Sequence, residues 1–179
     1  MGAANLPNTL TAIRIILIPV FVTAVIYAKY DYAVYIFAAA ALTDALDGMT
    51  ARLKNQKTQL GTFLDPLADK FLIVTSFILF SYYGWVPGWL TITVISRDII
   101  VTTGWVLLYM TAHKEKVEPS LPGKAAVAME LILLSYVLLN ITYEFIPDIK
   151  DILIWATAAL SIISGLHYIY RGLRETGER

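Results

Sequence analysis

The sequence predicts an all-α polytopic membrane protein with six transmembrane helices, and three observations carry that expectation. The 179 residues are 58% hydrophobic and 16% charged, with a mean hydropathy of +0.64, a composition unlike that of soluble domains. Apolar residues gather into six runs of about 18 to 23, each long enough to cross a hydrocarbon core about 30 Å thick. Between the runs stand Pro, Gly and charged residues, which punctuate interhelical turns. No internal repeat or low-complexity tract interrupts this pattern, so one membrane domain over 1–179 is expected.

Charge and cysteine usage narrow the function classes. Lys plus Arg equals Asp plus Glu at 14 each, so no overall charge points to nucleic acid as a partner. Cysteine is absent, which excludes disulfides, thiol catalysis and Cys-ligated metals. The first basic residue, Arg14, lies within the first apolar run and not ahead of it, so the N-terminus does not read as a cleaved signal peptide.

In chain order, Asn5-Leu6-Pro7-Asn8-Thr9 has the Pro and capping residues of a helix start. The first run, about 10 to 28, carries Arg14 and Pro19. Arg14 either extends to the headgroups along its apolar stem or faces a polar cavity. The second run, about 32 to 51, ends among acids, and a polar connector follows with Arg52, Lys54 and Lys57. The third, about 61 to 83, opens with Gly61, Asp65, Pro66, Asp69 and Lys70; the Pro fits a helix start better than a helix middle.

Tyr83-Gly84-Trp85-Val86-Pro87-Gly88-Trp89 reads as a turn rich in interfacial aromatics. The fourth run, about 89 to 111, contains Arg97-Asp98, adjacent residues that point about 100° apart on a helix and so make a poor pair. A solvated connector from Ala112 to Lys124 leads to the fifth run, about 125 to 143, with Lys124 at its mouth, where a cation and helix N–H groups can meet an anion. The sixth run covers about 152 to 170, before a basic tail from Arg171 to Arg179. His113 and His167 read as surface or interfacial residues.

An even number of spans puts both termini on one side. Arg52, Lys54, Lys57, Lys114, Lys116, Lys124, Arg171, Arg174 and Arg179 fall on that side, and Lys29 and Lys150 opposite, so both termini are expected in the cytoplasm. Asp44 precedes Arg52 by eight residues, roughly 12 Å at the helical rise. The acids are therefore expected in a cavity just below the cytoplasmic headgroups of the inner membrane.

Those acids are the chemistry-bearing feature. Asp44 and Asp47 are three apart, Asp65 and Asp69 four apart, spacings that put each pair on one face of its own helix. Four carboxylates turned together stay ionised only with cations among them. An all-oxygen set with no Cys or His nearby favours Mg²⁺ or Mn²⁺ over Zn²⁺, and four acids can hold two ions. Gly48, Ala51 and Gly61 keep the helix surfaces bare beside the acids, and Arg52 supplies a planar fork for phosphate oxygens.

Asp44-x2-Asp47-Gly48-x2-Ala51-Arg52-x8-Gly61-x3-Asp65-x3-Asp69 fills eight positions over 26 residues and resembles the complete signature of the CDP-alcohol phosphotransferase family. The resemblance implies that Asp44, Asp47 and Asp65 ligate two metal ions, with Asp69 completing the set and serving as general base on the acceptor hydroxyl. By the same resemblance Asp47, Gly48, Ala51 and Gly61 line a cytidine pocket, and Arg52 contacts the diphosphate. It further implies CDP-diacylglycerol as donor, CMP as leaving group and a homodimer.

The acceptor is expected to be glycerol 3-phosphate, with Arg97, Lys124 and Arg14 as the cations available to its phosphate. Asn-Leu-Pro-Asn-x-Leu-Thr at the start and Leu-Asp-Pro-x-Ala-Asp-Lys in the third run are similar to stretches of the family's phosphatidylglycerophosphate synthases. The fourth run and Glu118-Pro119-Ser120 are also similar to the CDP-diacylglycerol-dependent cardiolipin synthases, whose acceptor is phosphatidylglycerol. A cation transporter using the same four acids is the alternative of a different class. It predicts polar residues continuing across the bilayer, whereas the outer halves of the six runs carry almost no charge.

Overall fold

Six helices follow one another: α1 (Leu6–Ile26), α2 (Tyr30–Lys54), α3 (Gln59–Tyr82), α4 (Gly88–Ala112), α5 (Leu121–Tyr143) and α6 (Lys150–Gly177). The computed structural model describes the backbone of residues 6–54, 59–112, 120–143 and 148–177 and the side chains of 13–43, 70–104, 120–143 and 148–172. No strand occurs among the described residues. The chain divides into two compact units, Met1–Leu79 with Val137–Ile146, and Phe80–Tyr136 with Pro147–Arg179, so the division falls within α3 and α5.

In the first unit α1 packs against α2. Ala33 and Ala40 are buried on α2, and such small residues let two backbones approach closely. Phe21 and Phe37 fill the same core with ring centroids 5.7 Å apart. Pro19 stands inside α1 without an N–H to donate, and Thr23 Oγ1 donates to its carbonyl at 2.7 Å. Two bonds close the end of α1, from the Lys29 N–H to the Ala24 carbonyl at 2.8 Å and from the Ala28 N–H to the Val25 carbonyl at 3.0 Å. This is a Schellman motif, and it holds Ala28 at φ +53°, a conformation that favours glycine.

The second unit opens on the same device with the residue it prefers. Trp85 N–H donates to the Phe80 carbonyl at 2.8 Å and Gly84 N–H to the Ser81 carbonyl at 3.0 Å, with Gly84 at φ +72°. The apolar contact that accompanies such motifs is the Phe80–Trp85 ring pair, 5.2 Å between centroids. Tyr83 stacks on Trp85 at 5.0 Å. Pro87 offers its carbonyl to the first turn of α4, which then packs along α6 and sets Trp89 against Trp155 at 5.2 Å. Leu90, Val94, Leu133 and Leu134 are fully buried in this unit.

α5 and the Lys150–Gly172 part of α6 are each long and apolar enough to cross a membrane, while Ile13–Ile26 and Lys70–Tyr82 are shorter apolar stretches. Large apolar side chains such as Ile16, Ile92, Ile152, Trp155 and Leu166 face outward, as suits hydrocarbon better than water.

Several boundaries differ from the sequence expectation. α2 runs on to Lys54 and so takes in Arg52, which the sequence reads as part of the connector. α3 starts at Gln59, so Pro66, which has no N–H to donate, sits in its interior; membrane helices tolerate such breaks. α5 starts at Leu121 and not at 125, because Ser120 caps it: the Gly123 N–H donates to Ser120 Oγ at 3.2 Å and the Lys124 N–H to the Ser120 carbonyl at 3.0 Å. α6 runs on through Arg171 to Gly177, where the sequence reads as a tail.

Candidate active site

The signature residues occupy two consecutive helices. Asp44, Asp47, Gly48, Ala51 and Arg52 belong to α2, and Gly61, Asp65 and Asp69 to α3; their side chains lie outside the described residues. Both flanks are helical, so the three- and four-residue spacings place each pair of acids at neighbouring positions on its helix. Counted from the connector, Asp44 stands ten residues before Lys54 and Asp69 ten residues after Gln59. Asp47 and Asp65 stand seven before and six after the same points. Four residues of sequence separate α2 from α3.

The donor chemistry fits hard divalent cations. Four carboxylates at these positions, in a chain without cysteine, suit Mg²⁺ or Mn²⁺. Among the described residues no group of three or more His, Asp or Glu side chains gathers elsewhere.

A second polar constellation lies within the second unit. Arg97 on α4 is 5% exposed and Asp98 7%, and the Arg97 Nη1 donates to Asp98 Oδ1 at 2.7 Å. The adjacent pair therefore meets, contrary to the sequence expectation, because the long Arg side chain curls back over the 100° that separates the two Cβ directions. Nη2 donates to the Gly123 carbonyl at 3.0 Å and to Ser164 Oγ at 3.2 Å, and Nε to Ser164 Oγ at 3.3 Å. Glu130 on α5 is 0% exposed, with its Oε1 3.8 Å from Arg97 Nη1, and Ser161 donates to it at 3.2 Å. One guanidinium thus ties together α4, the first turn of α5 and α6.

That first turn is held from the other side by Tyr168. The Ser120 N–H donates to its hydroxyl at 3.2 Å, and a Cβ at Gly123 would approach Ser120 Oγ at 3.1 Å and the Tyr168 ring at 3.2 Å. A side chain there would push Ser120 or Tyr168 aside by a few tenths of an ångström. Lys124, next along, is exposed. Of the three cations expected at the acceptor, Arg97 and Lys124 are thus brought to the same turn. Arg14 belongs to the first unit and is 1% exposed, so it is enclosed by protein and does not extend along the outside of α1. His167 is exposed. Lys57, His113, Lys114, Lys116, Glu118 and Pro119 lie outside the described residues.

Glu130, Ser161, Ser164 and Tyr168 do not stand out in the apolar runs. The signal that exposes them is an acid inside the fifth run, opposite hydroxyl residues at three- and four-residue steps along the sixth.

Residues 4–163 match the model of the CDP-alcohol phosphatidyltransferase family. The chain belongs to that family. Among curated relatives of this phosphatidyltransferase, the "Probable phosphatidylglycerophosphate synthase" of Mycobacterium tuberculosis is 33% identical over 181 residues, covering 97% of this chain and 84% of the relative. The "CDP-diacylglycerol--glycerol-3-phosphate 3-phosphatidyltransferase" of Bacillus subtilis is 32% identical over 182 residues, with 92% and 93% covered. The protein of the same name from Salmonella typhimurium is 35% identical over 176 residues, again with 92% and 93% covered. The match takes in both acid-bearing helices, α4 and α5, and ends just before Ser164, so Ser164 and Tyr168 lie beyond it. With two helices able to cross a bilayer and an apolar outer surface, this phosphatidyltransferase is a membrane protein.

Proposed function

We propose that the protein transfers the phosphatidyl group of CDP-diacylglycerol to a hydroxyl of glycerol 3-phosphate and releases CMP. The observation that carries this reading is the eight-position signature set on two consecutive helices. The relatives, which bear the name of that reaction over nearly their whole length, support it.

The donor would lie with its acyl chains in the bilayer and its diphosphate at the acids. Arg52 would donate to the diphosphate oxygens, and Gly48, Ala51 and Gly61 would leave room for cytidine beside Asp47. Asp44, Asp47 and Asp65, with Asp69, would hold two divalent cations. Bound there, such ions neutralise the diphosphate and stabilise the attacking and leaving oxygens. Asp69 accepts the proton of the attacking hydroxyl. The hydroxyl oxygen bonds to the phosphorus attached to diacylglycerol, and the bond to the bridging oxygen breaks, its electron pair leaving with CMP. Lys124, exposed in the first turn of α5, is the cation to which we assign the acceptor phosphate.

All six helices cross the inner membrane in this reading, with both termini and the acids on the cytoplasmic side. The excess of Lys and Arg on that side supports it. So does the aromatic cluster of Tyr83, Trp85, Trp89 and Trp155 at the α3–α4 turn, of the kind that sits at a membrane interface. The family resemblance further implies a homodimer.

The test is CMP release by purified protein in detergent with Mg²⁺ and CDP-diacylglycerol, comparing glycerol 3-phosphate, phosphatidylglycerol, inositol phosphate and serine. Release with glycerol 3-phosphate supports the assignment. Release with phosphatidylglycerol alone reassigns the protein to cardiolipin synthesis; release with none reopens the acceptor class and, if Asp47→Asn also leaves metal binding unchanged, the enzyme reading itself.

A further inference from the structure

Arg97 has the charge to bind an acceptor phosphate, yet its three nitrogens are already engaged by protein oxygens. Nε and Nη2 reach Ser164 at 3.3 and 3.2 Å, Nη2 reaches the Gly123 carbonyl at 3.0 Å, and Nη1 lies 2.7 Å from Asp98 and 3.8 Å from Glu130. Two buried carboxylates surround one buried guanidinium, which leaves the cation compensated without any ligand. Handing Arg97 to a phosphate would draw its charge away from two buried carboxylates, Asp98 and Glu130.

What the guanidinium grips is informative. Gly123 is the third residue of α5, and its carbonyl lies in the turn that Ser120 caps and Tyr168 covers. That turn carries Lys124, an exposed residue. We propose that Arg97 and Tyr168 are positioning residues, which clamp the Ser120–Lys124 turn from α4 and from α6 so that Lys124 meets the acceptor's phosphate, and that the Arg97 guanidinium does not itself touch the acceptor. The inference rests on glycerol 3-phosphate being the acceptor.

Two kinds of arginine are thereby distinguished. A direct ligand contributes its own term to acceptor affinity, independent of Lys124. A clamp acts through Lys124, and its removal changes little once that ammonium is gone; a double-mutant cycle measures this difference.

The experiment takes full-length protein in detergent and compares wild type, Tyr168→Phe, Arg97→Lys, Lys124→Ala and the two doubles with Lys124→Ala. It measures kcat, KM for glycerol 3-phosphate, KM for CDP-diacylglycerol and the thermal midpoint. Tyr168→Phe removes one hydroxyl that accepts the Ser120 N–H, and is expected to raise the acceptor KM about two- to tenfold. The KM for CDP-diacylglycerol should stay unchanged, a split that general loosening of the fold would not produce. On the Lys124→Ala background Tyr168→Phe and Arg97→Lys should add little.

Either of two results overturns the proposal: an unchanged acceptor KM in Tyr168→Phe, or effects of Arg97→Lys that multiply in full with those of Lys124→Ala. Absence of CMP release by the wild type with glycerol 3-phosphate is a separate outcome; it removes the acceptor reading and the positioning role with it.

Discussion

Ser161 on α6 donates a hydrogen bond to Glu130 on α5 at 3.2 Å, with both side chains buried. An acid enclosed this deeply is costly unless its oxygens are occupied, and together with Arg97 it joins three helices into one polar junction. Removing the guanidinium by Arg97→Ala takes a buried cation away from the buried Asp98 and Glu130, an effect of about 3–5 kcal/mol. Glu130→Gln keeps the shape and an acceptor for Ser161 and should cost far less. Thermal unfolding in detergent checks the order, and equal losses in the two variants would contradict it.

Asp69→Asn should lower kcat by about two to four orders of magnitude, since it removes the proton acceptor. Metal-dependent binding of CDP-diacylglycerol should persist. Asp47→Asn should lose binding and turnover together. Retained turnover in Asp69→Asn would show that the base lies elsewhere.

Chelation by EDTA should abolish CMP release, and Mg²⁺ or Mn²⁺ should restore it. Four carboxylates without Cys or His offer Zn²⁺ little advantage, so Zn²⁺ should restore less. Turnover that survives exhaustive chelation would separate the acids from metal binding.

Ala28 occupies the left-handed position that ends α1, at φ +53°. Ala28→Gly should stabilise the protein by about 1 kcal/mol, since glycine has no Cβ to crowd the carbonyl there. Gly84, at φ +72° in the matching turn after α3, should give the opposite sign with Gly84→Ala. Thermal midpoints of both variants read out the pair.

The helices were legible because their apolar runs are long and their interruptions sharp. The ends were not, for reasons particular to each. Pro66 reads as a helix start, but a helix can lose one bond at a Pro and continue, as α3 does. The cap at Ser120 follows a charged connector that hides it, and its partner Tyr168 lies 48 residues away. The acids declared themselves through spacing along two consecutive helices. Arg97 was recognisable as unusual, whereas its partners Gly123, Glu130 and Ser164 come from two other helices, and no local pattern in the fourth run points to them.

Product analysis tests the central claim most directly. Purified protein is supplied with CDP-diacylglycerol, Mg²⁺ and glycerol 3-phosphate labelled in its glycerol carbons, and the lipid phase is extracted. Label should appear in a phosphatidylglycerophosphate in equal amount to the CMP released, and Asp69→Asn should form both about two to four orders of magnitude more slowly. CMP release with all label remaining in the aqueous phase would contradict phosphatidyl transfer to glycerol 3-phosphate.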